Sequence, residues 1–94
     1  MNRRAAVIAV LAVATKNRDG AQENFQRAIA ASADPIVLGW SHVYLGRILD
    51  MKEERDAAVK EYRAALDTSG RLPDIKAAAE RGIQQAYEPP TKPQ

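Results

Sequence analysis

The chain repeats itself. Ala21, Phe25, Ala28 and Ile29 recur as Ala58, Tyr62, Ala65 and Leu66, each 37 positions later. The same offset carries Ile8 onto Leu45, Ala9 onto Gly46 and Ala12 onto Leu49. One offset that serves two separate segments points to a duplicated unit. Spacing inside the unit says what it is: Phe25, Ala28 and Ile29 lie at i, i+3, i+4, one stripe of a helix. The unit reads as a helical hairpin, present twice, with one further helix after it.

Local punctuation sets the expected limits. A first helix runs from about 3 to 15, and the "KNRDG" stretch breaks it. A second covers about 19 to 32 and stops at "ASADP", because proline cannot continue a helix interior. A third covers about 36 to 51. A fourth covers about 54 to 68, with Glu53, Glu54 and Asp56 at its start, where carboxylates suit the positive end of the dipole, and Gly70 at its close. Pro73 opens a fifth at a first-turn position, where its missing N–H costs nothing, and that helix ends near Tyr87. The "EPPTKPQ" tail is proline-rich and reads as extended or disordered. No alternating apolar pattern of any length occurs, so an all-α fold of five helices is expected, with residues 1–87 as one domain and 88–94 as a flexible tail.

Composition removes several functions. The 94 residues make one domain with one modest core. No cysteine is present, which excludes disulfides and thiolate metal sites. His42 stands alone, so a histidine metal site or a catalytic triad has no second member. The acidic residues near 53–56 read as a helix start, and "DG" and "SG" read as turns between helices. The chain is therefore read as no enzyme, with no cofactor and no metal. Basic and acidic residues number 14 and 12 and are interspersed, which argues against nucleic acid despite a pI near 9.2. The apolar run from Ala5 to Ala14 is too short for a membrane span, which needs about 20 residues. With two arginines before it and Ala-Val-Ala at its end, the run also has the outline of a secretory signal. The expected reading is a buried first helix in a cytoplasmic chain, the other a secreted or periplasmic protein with a signal remnant.

The second hairpin resembles the tetratricopeptide repeat. Leu45-Gly46 is followed by Leu49, then by Ala58, Tyr62 and Ala65 at that family's spacing, with Leu66 beside the last. In the first hairpin Ala9 stands for the glycine, and Ala21, Phe25 and Ala28 match the second helix. Departures are His42 in the slot of the large first residue, Leu49 for an aromatic, and Gly70 where a closing proline is usual. The repeat is 37 residues against the family's 34, which places three extra residues in the "SADPIVL" link. The resemblance implies antiparallel hairpins stacked as a short right-handed solenoid: repeat one at about 2–35, repeat two at about 36–70, and a capping helix at about 73–87. It also implies a packing set of Leu45, Gly46, Leu49, Ala58, Tyr62, Ala65, Ala21, Phe25 and Ala28. Gly46 and Ala58 are expected to let two helix backbones approach closely.

The same resemblance implies a concave groove lined by the first helix of each hairpin. In the third helix it points to Trp40, Val43, Tyr44, Arg47, Asp50 and Met51. Trp40, Tyr44 and Arg47 share a face by their spacing alone. Trp, Tyr and Arg are the residue types enriched at interface hot spots, and Arg47 could take a carboxylate. Aromatics are only 5% of the chain, so each one must serve packing or binding; the alternative for Trp40 and Tyr44 is packing on the first and fifth helices. The groove slots that hold Lys and Asn in chaperone-tail binders are Ala6, Val10 and Tyr44 here, which argues against that specificity. The first helix is apolar all round, and Val7, Val10 and Val13 suggest a homodimer or a preceding repeat. Three function classes follow: a protein-interaction module, an accessory segment of a larger enzyme or secretion assembly, and a small nucleic-acid regulator. The first fits best.

Overall fold

A computed structural model describes residues 18–89. They form four helices: α1 (Arg18–Ala31), α2 (Pro35–Met51), α3 (Arg55–Ser69) and α4 (Pro73–Gln84). No strand occurs among the described residues. The first expected helix, with Val7, Val10 and Val13, lies outside them, so the helix count here is four and not five.

Each limit has a local cause. Asp34 caps α2: its Oδ1 accepts from the Ile36 N–H at 2.9 Å, and Pro35 takes the first helical position. Pro35 therefore opens α2, besides closing off the segment before it. Pro73 opens α4 in the same way, after an extended Leu72. Between α2 and α3 the chain turns at Glu53, whose φ of 60° is left-handed, while the Glu54 N–H donates to the Leu49 carbonyl at 2.9 Å. A glycine normally takes such a position. Glu53→Gly is expected to stabilise the fold by about 0.5–1 kcal/mol, the left-handed strain relieved less the extra freedom of the unfolded chain; urea unfolding measures it. The acidic cluster does less than expected at the start of α3. Glu54 makes no side-chain cap bond, and only Asp56 stands in the first turn.

The fifth expected helix stops short of Tyr87. α4 ends at Gln84, and Gln85 is extended at φ −149°, ψ 133°. Arg55 reaches across from α3 and donates from Nη2 to the carbonyls of Gly82 and Ile83, at 2.8 and 2.9 Å. Those carbonyls would otherwise need the next helical turn.

Consecutive helices touch across three-residue links, as in αα-hairpins. α1 packs on α2, α2 on α3 and α4, and α3 on α4. The core holds Ala21, Phe25, Val43, Leu45, Ile48, Leu49, Ala58, Tyr62, Ala65, Ile75 and Ala79. Ala28 is buried as well. Glycines make the close contacts. A Cβ on Gly46 or on Gly82 would stand 2.6 Å from the Tyr62 ring, so the ring lies between α2 and α4 with a glycine against it on each helix. Gly46 thus makes room for an aromatic face, where the sequence suggests a bare backbone approach. Gly39, seven residues before Gly46, does the same for Ser69 and Ile75. Ser69 Oγ also donates to the Pro35 carbonyl, tying the end of α3 to the start of α2.

Candidate functional site: the α2 face

Two stripes run side by side along α2. Gly39, Val43, Gly46 and Asp50 face inward, and all four are buried. Trp40, Tyr44, Arg47 and Met51, one position on, are half-buried. One residue is a rotation of about 100° on a helix. The six groove residues expected from the sequence therefore divide. Trp40, Tyr44, Arg47 and Met51 lie at the accessible stripe. Val43 is fully buried in the core, and Asp50 is bonded inside the fold, so neither is placed to meet a partner.

The outer stripe is a row of rings ending in a cation. Phe25 of α1 stacks on Tyr44, with centroids 5.4 Å apart and planes at 28°. Trp40 stacks on Tyr44 at 5.7 Å and 26°. The Arg47 guanidinium carbon lies 5.4 Å from the Tyr44 centroid and 5.1 Å from that of Tyr87. Arg47 is thereby held by two aromatic faces, each attractive to a cation. No carboxylate among the described residues forms an ion pair with it. Packing and surface roles coexist in this row: Tyr44 rests on Phe25, and its neighbour Arg47 makes no side-chain hydrogen bond to another described residue.

Beneath the stripe sits a bonded network. Arg55 Nη1 donates to both Asp50 oxygens at 3.0 Å. The Tyr62 hydroxyl donates to Asp50 Oδ2 at 2.7 Å, and the Tyr87 backbone N–H donates to the same oxygen at 2.8 Å. One carboxylate on α2 thus joins α3 and the segment after α4. Burial pushes the Tyr62 phenol well above its usual value, and the hydrogen bond to Asp50 and that carboxylate's charge add to the shift. A raised pKa gives stability that is whole below the unfolded value of about 10 and is lost as pH climbs toward the folded one. Unfolding free energy is expected to hold to about pH 10 and then to fall by up to about 1.4 kcal/mol per unit. Thermal unfolding of the native chain and Tyr62→Phe at pH 9 and pH 11 checks this: the gap between them should narrow.

An open cleft of about 370 Å³ lies beside Arg47, lined by Ala78, Arg81 and Gly82 of α4 and by Gln85, Tyr87 and Glu88. A wider one of about 860 Å³ runs past Ile36, Leu66 and Leu72 at the far end of α2. His42 is elsewhere: its Nδ1 lies 2.8 Å from Glu61 Oε1, linking α2 to α3. Lys52, just past the end of α2, donates to Asp19 at 3.1 Å and Gln22 at 3.0 Å, linking that turn to α1. Among the described residues no group of three His, Cys, Asp or Glu is placed to hold a metal, and no helix is long and apolar enough to cross a membrane.

Sequence reasoning passes over Arg55, Arg81, Gly39, Gly82 and Tyr87 as parts of this region. The two glycines carried a signal, since an isolated glycine inside a helical pattern costs about 1 kcal/mol and asks for a packing reason. Tyr87 carried none, because its role depends on where the helix before it stops. No family model matches this chain, and no curated protein or solved structure matches it either.

Proposed function

We propose that the chain is a non-catalytic protein-interaction module, a short solenoid of tetratricopeptide type, which receives an extended peptide or a partner helix against the outer stripe of α2. Arg47 carries this reading. It is preorganised between two rings, half-buried, and has no counter-ion among the described residues. A guanidinium so placed costs little to order and offers its edge to a carboxylate or a carbonyl. Trp40 and Tyr44 extend the surface with rigid apolar area. Support for the solenoid comes from the packing order, in which α1 rests on α2 and α4 closes over α2 and α3.

The test is an array of extended peptides probed with the native chain, Trp40→Ala and Arg47→Ala. Each substitution should weaken peptide binding by about 30-fold, the equivalent of a hot-spot loss of about 2 kcal/mol. Circular dichroism should be unchanged. Peptides that bind all three chains equally, or variants that unfold, would make the row a packing feature alone.

A further inference from the structure

The segment after α4 lies on the surface just described. α4 ends at Gln84, and the chain continues extended through Gln85. Two residues on, the Tyr87 N–H donates to Asp50 Oδ2 at 2.8 Å, and its ring lies 5.1 Å from the Arg47 guanidinium carbon. Gln85, Tyr87 and Glu88 line the cleft beside Arg47 and Arg81. The segment thus makes one backbone hydrogen bond into the fold and one ring-to-cation contact, the bonding of a short extended peptide on a helical surface.

We infer that this segment is a resident pseudo-ligand, which closes the Arg47 face until a partner of like chemistry displaces it. Such a partner is an extended peptide with an aromatic side chain for Arg47, a backbone N–H for Asp50, and an acidic residue next to the ring, as Glu88 is, for the cleft that Arg81 lines. The inference rests on the partner-face reading above and adds the occupant and its competition.

Two features make the segment displaceable. Asp50 keeps its bonds to Arg55 and Tyr62 when the Tyr87 N–H leaves, so release strands no buried charge. Arg47 keeps the Tyr44 face, so it stays positioned for the newcomer. Attachment favours the resident, because a short tether holds it at an effective concentration in the millimolar range. Any external peptide then binds with an affinity reduced by the fraction of chains that are open.

The experiment uses the full chain and two variants. Tyr87→Pro removes both the ring and the N–H donor. Tyr87→Phe keeps both. The probe is the labelled hexapeptide QQAYEP, the chain's own sequence from Gln84 to Pro89. Tyr87→Pro should bind it at least about tenfold more tightly than the native chain, Tyr87→Phe should match the native chain, and adding Arg47→Ala to Tyr87→Pro should weaken binding by about 30-fold. Without peptide, the Arg47 Hε resonance reports the contact by ring current. It should move in Tyr87→Pro and stay in Tyr87→Phe. An unmoved resonance, or equal and measurable peptide binding by native and opened chains, overturns the closed-face inference alone. A resonance that moves while the opened chain binds no peptide overturns it together with the partner-face reading.

Discussion

Asp50→Ala is expected to lower the free energy of unfolding by about 3 kcal/mol, at the low end of the range of about 3–5 for breaking a buried ion pair. The carboxylate is 1% exposed, but the Arg55 side chain is 36% exposed, so water recovers part of what the guanidinium loses. The loss at Tyr62 is not recovered. The Tyr62 hydroxyl is left in the core without its acceptor, and the Tyr87 N–H loses its own. A domain of this size has a total stability of roughly 5–14 kcal/mol, so the variant should be marginal. Urea unfolding beside Asp67→Ala, an exposed acidic residue whose loss should stay within about 0.5 kcal/mol, measures the difference. A change below about 1 kcal/mol would show that the network is not what holds the three helices together.

The effect should be uneven along the chain. Arg55 uses Nη1 on Asp50 and Nη2 on the last carbonyls of α4. With Asp50 gone, the guanidinium loses its anchor on α2, and its hold on the end of α4 weakens. Amide exchange in Asp50→Ala should therefore quicken first over residues 79–87, where local opening requires least.

This network marks the boundary between what the sequence shows and what it hides. Helix limits are legible because they depend on neighbours. Asp34 and Pro35 start α2, and Pro73 starts α4, whatever the rest of the chain does. The small-and-large alternation of Ala58, Tyr62 and Ala65 is legible too, since burial on one face repeats with the helical period. Asp50 is different. It stands on α2 one stripe away from Met51, and whether a carboxylate there meets water or Tyr62 depends on the rotation of the whole helix. Arg55 is harder still. Its sequence neighbours are acidic and suggest a helix start, while its partners at Gly82 and Ile83 lie 27 and 28 residues on. The outer stripe was half legible: spacing put Trp40, Tyr44 and Arg47 on one side, but only the fold shows that Tyr87 returns to it.

The contact of Tyr62 with two glycines yields an expectation about sign. In the native chain Gly46→Ala and Gly82→Ala should each destabilise by about 1–3 kcal/mol, because the new methyl would stand 2.6 Å from a ring that cannot withdraw. The ring is fixed at its far end by the hydroxyl bond to Asp50. Intrinsic helix propensity acts the other way, favouring alanine by about 1 kcal/mol. Remove the ring and only propensity is left. Tyr62→Ala should itself cost about 3–5 kcal/mol through the cavity it opens. In that background Gly82→Ala should become stabilising by up to about 1 kcal/mol, with some of the cavity filled as well. The double-mutant cycle should then give a coupling of about 2–3 kcal/mol, within the range for residues in direct contact. Measurements in sucrose keep both backgrounds folded enough to compare. If Gly82→Ala destabilises equally with and without the ring, the glycine answers to the backbone and not to Tyr62. A reversal would establish that α2 and α4 keep these glycines to admit one aromatic side chain, the same side chain whose hydroxyl holds the Asp50 network in place.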